Sequence, residues 1–177
     1  EQSDQRQLFG GELSQELQLK LGSLDWNHQF GLQSRYDDID QLGLSLTENR
    51  IQHQAVRMDQ VQQQSWSVFH QQQLQLNQDW QAQLGVRYDW MSAKVQSLLS
   101  QQNSGRASQG ITSVKLGLRY QNDEAQHWDF SVGQGMHSND ARGATITTDP
   151  VSGEAANAVP LWVRSEGAEL GWSYLQS

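Results

Sequence analysis

Cysteine is absent from this chain of 177 residues, which excludes disulfide bonds and thiolate metal sites. Long apolar runs are missing too. No stretch approaches the ~20 consecutive apolar residues that a membrane-spanning helix needs, so a helical membrane protein is excluded. Cations are in deficit, with 12 Lys and Arg against 20 Asp and Glu and a net charge of −8. Because phosphate binding needs a basic face, we predict no nucleic-acid partner.

Hydrophobic residues are scarce as well, at 36% of the chain, while about one residue in six is glutamine. Such polarity usually indicates disorder. Seven tryptophans and a recurrent alternation of apolar and polar residues oppose that interpretation. A transmembrane β-barrel reconciles these observations, because its lumen and loops are wet and only alternate strand residues meet lipid. The polar start, Glu1 to Arg6, contains no signal peptide.

The clearest alternation runs from Trp80 to Trp90. Its even-numbered positions are apolar or aromatic, and its odd-numbered positions are polar or glycine. A strict period of two predicts a strand with one apolar side and one wet side. The two tryptophans would lie ~25 Å apart along the membrane normal, which is the height of the apolar band on a transmembrane barrel.

Six further runs show the same alternation and predict six more strands of about ten residues each. Their apolar positions are Leu13, Leu17, Leu19 and Leu21; Trp26, Phe30, Leu32 and Tyr36; Trp66, Val68, Leu74 and Leu76; Val114, Leu116, Leu118 and Tyr120; Trp128, Phe130, Val132 and Met136; and Ala168, Leu170, Trp172 and Tyr174. The sequence therefore predicts an all-β, antiparallel, up-and-down barrel section of about seven strands.

The predicted connections alternate in length. Short, polar turns span 22–25, 77–79 and 121–126, and longer stretches span 37–64, 92–112 and 137–164. Short periplasmic turns and long extracellular loops are typical of an outer-membrane barrel. The Leu42 to Leu46 run is expected to extend a hairpin above the membrane. Single-chain bacterial barrels have an even number of strands, and the chain ends Tyr174-Leu-Gln-Ser177 without a terminal aromatic, so we expect a section of a larger barrel.

One motif resembles a known family. The segment Gly133-Gln-Gly-Met-His-Ser-Asn-Asp-Ala-Arg-Gly143 is similar to the G-x-G-F-H-S-N-D-A-R-G signature of TonB-dependent outer-membrane receptors, with Met136 in place of the usual Phe. The segments starting at Trp26 and at Pro160 are further matches, and the resemblance covers about Phe9 to Tyr174.

The resemblance implies a barrel of about 22 strands that is plugged by an N-terminal domain. It implies an outer-membrane receptor or transporter of a Gram-negative bacterium that takes up a scarce ligand, such as a siderophore–metal complex or cobalamin, with energy from the TonB system. Residues 1–177 would form part of this single barrel domain, without the plug and without a signal peptide. The implied partners are outer-membrane lipid, the plug domain, TonB and an unknown small ligand.

Two sets of residues are candidates for function. Ligand contacts at the extracellular end are predicted for His137, Asn139, Asp140 and Arg142. The alternative interpretation is that Ser138, Asn139 and Asp140 form a turn while Arg142 pairs with a neighbouring lumen carboxylate. A lipid-facing girdle is predicted for Trp26, Tyr36, Trp80, Tyr88, Trp90, Tyr120, Trp128, Trp172 and Tyr174.

We predict no enzyme activity, no cofactor and no metal site. The five histidines show no close pair with ligand spacing, and His28 and His70 occupy outward-facing positions near an interface. No nucleophile, histidine and acid arrangement stands out. Two alternatives stay open: a soluble lipocalin-like or avidin-like barrel that binds a ligand inside, and a passive porin-type barrel.

Overall fold

A computed structural model describes residues 1–22, 24–49, 51–122 and 125–175. Seven β-strands make up most of it: β1 Gln2–Leu21, β2 Leu24–Glu48, β3 Ile51–Gln75, β4 Trp80–Ser97, β5 Gly105–Gln121, β6 Gln126–Ser138 and β7 Trp162–Tyr174. A 3-10 turn, Gln101–Asn103, and a short helix, α1 Ala141–Thr145, lie in the connections. Within the described ranges, no helix is long and apolar enough to cross a membrane.

The strands form one antiparallel sheet whose spatial order follows the chain from β1 to β7. Every strand pairs with its neighbours in the sequence, as expected of consecutive hairpins. The predicted all-β, up-and-down architecture of seven strands is therefore confirmed. The sheet is not closed, because β1 and β7 lie at its two opposite edges.

Strand register aligns the alternating runs into two continuous surfaces. Leu84 of β4 lies opposite Gln72 of β3 and Leu116 of β5, and Leu116 lies opposite Val132 of β6. The apolar face of the sheet is the side that carries Leu32, Val68, Leu84, Leu116, Phe130 and Leu170, all of which are exposed. The polar face is the opposite side, which carries Gln33, Ser67, Asp89, Lys115, Asp129 and Glu169.

The strands extend well beyond the predicted runs. β2 and β3 contain 25 residues each and meet at a turn next to Asn49, whose φ of 51° is a conformation that asparagine tolerates. Residues 37–64, predicted as a long loop, are therefore mostly strand. The predicted hairpin extension through Leu42 to Leu46 is confirmed. About ten strand residues are enough to span a bilayer. The rest of this hairpin exceeds that length, so it can carry polar residues while its two strands stay paired.

The other two predicted loops differ from each other. Residues 98–104 alone connect β4 to β5, because both strands run into the stretch predicted as loop. Residues 139–161 form a long connection between β6 and β7, as predicted, and this connection contains α1.

The buried apolar core lies on the polar face, near the end of the sheet where β2 and β3 turn. Its members are Ile39, Val61, Met91, Ala93 and Val95 from the strands, and Ala141 and Leu161 from the β6–β7 connection. The connection therefore folds back over the polar face. We call this end of the sheet the mouth.

Candidate ligand site at the mouth

The four predicted ligand residues lie together where β6 enters the β6–β7 connection. His137 is exposed, stands opposite Val163 in the β6–β7 ladder and shares the polar face with Asp129 and Gly133. Asn139 is fixed by two hydrogen bonds, from its backbone N–H to the Leu161 carbonyl (2.9 Å) and from its side-chain amide to the Pro160 carbonyl (2.8 Å). His137 and Asp140 are exposed, and the two hydrogen bonds hold Asn139 in place without a ligand.

Asp140 and Arg142 stabilise the start of α1. The Asp140 carboxylate accepts a hydrogen bond from the Arg142 backbone N–H (2.8 Å), which is the geometry of an N-terminal helix cap. The Arg142 guanidinium also donates to the Asp140 carboxylate at 2.6 Å. Burial by itself would raise the pKa of Asp140, but the hydrogen bonds from Arg142 outweigh it and hold the pKa below its ordinary value.

Arg142 connects α1 to the strands beneath it. Its guanidinium lies 3.9 Å from Asp59 of β3, whose side chain is completely buried. Arg57 donates to Asp59 at 2.6 Å and to the Arg142 backbone carbonyl at 3.2 Å. Two arginines thus meet one buried carboxylate, an arrangement that compensates its lost hydration. The alternative interpretation of the sequence, in which Arg142 pairs with a carboxylate of the barrel interior, matches these contacts.

Arginine and aspartate recur two residues apart along the polar face. In an extended strand, such a spacing places both side chains on one side. The pairs are Asp4 and Arg6 on β1, Arg35 and Asp37 on β2, Arg57 and Asp59 on β3, and Arg87 and Asp89 on β4. Sequence reasoning missed this series, although its signal, Arg-x-Asp on three successive strands, is visible in the chain.

Further contacts join the charged pairs across strands. Arg6 of β1 lies 3.7 Å from Asp37 of β2. Arg87 of β4 donates to the Gln33 side chain of β2 at 2.6 Å, passing over β3. The Asp89 carboxylate accepts a bond from the Ser67 hydroxyl at 2.5 Å. The polar face therefore carries several groups of charged and amide side chains, each of which joins neighbouring strands.

Asn103 fixes the β6–β7 connection to the neighbouring connection between β4 and β5. Asn103 as a whole residue is 1% exposed, and its side-chain amide donates a hydrogen bond to the Thr148 carbonyl (2.8 Å). It also accepts from the backbone N–H groups of Thr147 (2.9 Å) and Thr148 (3.0 Å). The Thr145 hydroxyl returns a bond to the Asn103 carbonyl (3.0 Å). The sequence did not identify Asn103 as a contact residue, because no motif around Asn103 predicts a hydrogen bond to a residue 45 positions further along the chain.

Aromatic residues collect at two levels of the apolar face; that they form a lipid-facing girdle stays a prediction. One level holds Trp80 with Tyr120 (ring centroids 4.7 Å apart) and Trp128 with Trp172 (6.1 Å). Tyr174 stacks on Trp172 and so belongs to the same level. The second level, toward the mouth, holds Trp66 with Tyr88 (5.9 Å) and with Trp90 (5.7 Å). The remaining predicted members lie on the same face: Trp26 packs against His28, and Tyr36 stands opposite Gln64.

Between these levels the apolar face contains one polar cluster. His28 Nδ1 lies 3.1 Å from His70 Nε2, and Phe30 stacks on His70 with ring centroids 4.2 Å apart. Gln72 stands opposite His28 in the ladder. Both histidines therefore lie on the apolar face, and each has the other as a hydrogen-bond partner. Their outward direction near an interface stays a prediction. Across the described ranges, no group of three or more His, Cys, Asp and Glu side chains could hold a metal ion.

The polar face also contains a groove of about 430 Å³ on the side away from the mouth. Amide side chains dominate its lining, including Gln18, Asn27, Gln29, Gln71, Gln73 and Gln83, together with Glu16 and Lys115. Part of the glutamine-rich composition of the chain thus lies on the face opposite the aromatic levels.

Comparison with known proteins agrees with this geometry. The family described as TonB dependent receptor-like, beta-barrel, matches residues 1–177, which is the whole chain. No curated protein matches the sequence.

Proposed function

The chain belongs to the TonB-dependent receptor β-barrel family, and from this premise we propose that it forms part of the barrel wall of an outer-membrane receptor for a scarce ligand. The apolar face would contact lipid, and the polar face would line the lumen. Uptake of a siderophore–metal complex, cobalamin or a similar compound would be energised by the TonB system through a plug domain held in that lumen. We infer no bond chemistry in this role.

The continuous apolar face with its two aromatic levels is the observation that supports this proposal. Large apolar side chains are exposed across all seven strands, from Leu13 on β1 (75%) to Leu170 on β7 (68%). Soluble proteins rarely expose a contiguous apolar surface of this extent, whereas a membrane barrel requires one. Aromatic side chains at both borders of the band are typical of the two lipid–water interfaces.

The ligand would be gathered at the mouth. His137 is exposed there, at the end of β6 that leads into the connection carrying Arg142, whose guanidinium lies near Asp59. We propose that His137 contacts the ligand directly. Asp140 and Arg142, together with Asn139, would shape the site by holding the β6–β7 connection over the polar face.

A matched pair of substitutions on β4 tests the assignment of the faces. Leu84 lies on the apolar face between Trp80 and Trp90, and its neighbour Gln83 points into the groove of the polar face. In the full-length receptor reconstituted into liposomes, Leu84→Arg should lower the free energy of unfolding by ~2–4 kcal/mol, because it places a charged side chain in the hydrocarbon near the middle of the bilayer. Gln83→Arg should leave it almost unchanged.

The reverse pattern would contradict the proposal. If Gln83→Arg destabilised the protein and Leu84→Arg did not, the assignment of the two faces would be inverted, with the side of Gln83 against lipid and the side of Leu84 against water. Unfolding is followed by tryptophan fluorescence, and binding to liposomes is confirmed by flotation for each variant.

A further inference from the structure

Two cations stand side by side on the apolar side of the sheet, beyond the aromatic level nearest the mouth. Lys94 of β4 is directly opposite Arg106 of β5, and both side chains are exposed. Among the described residues, neither forms an ion pair with an acidic side chain. Like charges that face each other across two strands destabilise a sheet. An anion bound between them would remove this repulsion.

A groove of about 430 Å³ leads from these cations toward the aromatic level. Trp90 lines its lower end. Tyr36, Gln64, Ser92 and Ser108 form one row across its middle, and Gln62, Lys94 and Arg106 form the row at its upper end. The lining therefore changes from aromatic, through a row of mixed polar and aromatic side chains, to cationic in the direction of the mouth. This order matches an amphiphile that lies along the sheet with its apolar part against the apolar face.

The distance from the aromatic level suits a lipid headgroup. Lys94 is four residues beyond Trp90, which corresponds to about 13 Å along a strand and roughly 10 Å along the membrane normal at the usual strand tilt. Aromatic side chains mark the headgroup boundary, and basic residues just outside it attract anionic headgroups. Lys94 and Arg106 would therefore lie at the depth of lipid phosphates.

Acidic side chains limit the site on one side only. Asp38 and Asp40 line a neighbouring groove together with Lys94, on the side of β2. Gln62 of β3 stands between Asp38 and Lys94 in the ladder. On the other side, toward β5, Arg106 adds a second positive charge. The position for an anion is thus between Lys94 and Arg106, away from the two carboxylates.

We propose that Lys94 and Arg106 bind the phosphorylated headgroup of a lipid in the extracellular leaflet, with its acyl chains against the apolar face below. This inference rests on the proposed function, which places the apolar face in the bilayer. A free phosphate could satisfy the same two cations. The lipid is favoured because the groove continues without interruption into the aromatic level, where a free anion gains nothing.

The test measures binding of a bisphosphorylated acyl glycolipid to the full-length receptor in neutral detergent by native mass spectrometry. Lys94→Gln and Arg106→Gln should each weaken binding about fivefold, and the double variant about 25-fold, since a basic residue near an anionic lipid surface contributes ~1 kcal/mol. Lys115→Gln is the matched control, because it removes an exposed cation from the polar face of β5. It should leave binding unchanged.

Three results would overturn the inference. Equal binding by the double variant and the unaltered receptor would show that the two cations do not form the site. An equal loss in Lys115→Gln would show that only net charge matters. Inorganic phosphate that competes as well as the glycolipid, while the dephosphorylated glycolipid does not bind, would identify a free anion as the ligand. Each of these three results is distinguishable from failure of the proposed function, because Leu84→Arg and Gln83→Arg report which face meets lipid without involving Lys94 or Arg106.

Discussion

A single spacing, Arg and Asp two residues apart, explains much of the chemistry of the polar face. The spacing places both charges on one side of a strand, so each pair forms within one strand and needs no contact with a distant part of the chain. Burial then decides how much each pair matters. Asp59 is fully buried and has one carboxylate oxygen without a hydrogen-bond partner, whereas the pair of Arg119 and Asp129 is almost half exposed. Exposed pairs contribute little to stability, so we expect the network near Asp59 to dominate.

Acid should loosen the β6–β7 connection through Asp140. The pKa of this carboxyl group is lower in the folded state than in the unfolded chain. Its contribution to stability is therefore fully present above the ordinary aspartate pKa of about 4 and is lost as the pH falls through the lower, folded-state value. Hydrogen exchange of residues 141–146 should accelerate, relative to strand β4, when the pH is lowered from 6 toward 3, after correction for intrinsic rates.

The Asp140→Asn variant isolates this effect. Asparagine can still cap α1 but cannot titrate, so the connection should be somewhat more mobile at neutral pH and should respond much less to acid. An unchanged acid response in this variant would assign the effect to another carboxyl group. Asp149, which lies in the same connection, is the natural candidate because hydrogen bonds from the backbone of Ser152 and Val151 lower its pKa as well.

At the scale of the strands, the period of two was sufficient to predict element type, face and neighbour order. The Trp80 run shows why: apolar residues at every even position from Trp80 to Trp90 leave only one side for the apolar face. The prediction of strand ends failed where this pattern reverses. After Trp90 the apolar residues are Met91, Ala93 and Val95, on the opposite side. The strand continues, but its apolar residues now lie on the polar face, where the β6–β7 connection covers them.

This reversal has a physical origin that a single run cannot reveal. Up to Trp90 the apolar side carries exposed apolar and aromatic residues, and beyond Trp90 the same side carries exposed polar residues such as Lys94 and Gln96. On the polar side, this end of the strand contributes to a core only because Ala141 and Leu161 come from far along the chain. Local sequence therefore predicts the strands, while the candidate site depends on contacts between residues that are distant in sequence.

Asn103 provides the sharpest test of how the two connections hold each other. Replacing it with alanine removes one donor and one acceptor that serve Thr147 and Thr148, and each unsatisfied buried group costs ~1–3 kcal/mol. The Asn103→Ala variant should therefore show at least tenfold faster hydrogen exchange at residues 145–148. The barrel strands should keep their protection, because they do not depend on this side chain.

The neighbouring Gln101→Ala is the control for Asn103→Ala. Gln101 is exposed in the same 3-10 turn, and what the turn requires of it is the backbone carbonyl that accepts from Ser104. Exchange at residues 145–148 should not change in this variant. Equal exchange in Asn103→Ala and the unaltered protein would show that the apolar contacts of Ala141 and Leu161 are enough to hold the connection.

For the molecule as a whole, the open sheet presents an energetic problem. β1 and β7 each leave one edge without a paired strand in the described part of the chain. In lipid, each unpaired backbone group costs several kcal/mol, which is why membrane barrels are closed. In water, the apolar face and the free edges would promote aggregation. Under the proposed function, further strands or another chain would therefore cover both edges.

Hydrogen exchange can identify the backbone N–H groups of the edge strands β1 and β7 that are not hydrogen-bonded to a neighbouring strand. In an antiparallel edge strand, alternate N–H groups point toward the neighbouring strand and the others point outward. When residues 1–177 are studied alone in detergent micelles, β1 and β7 should show protection at every second residue, while residues 61–74 of β3, which pair on both sides, are protected throughout. In the full-length receptor, the unprotected half of β1 and β7 should become protected as well, by at least 100-fold. Full protection of both edges in the isolated chain would contradict this expectation, because it would mean that β1 pairs with β7 and that seven strands close a small barrel by themselves.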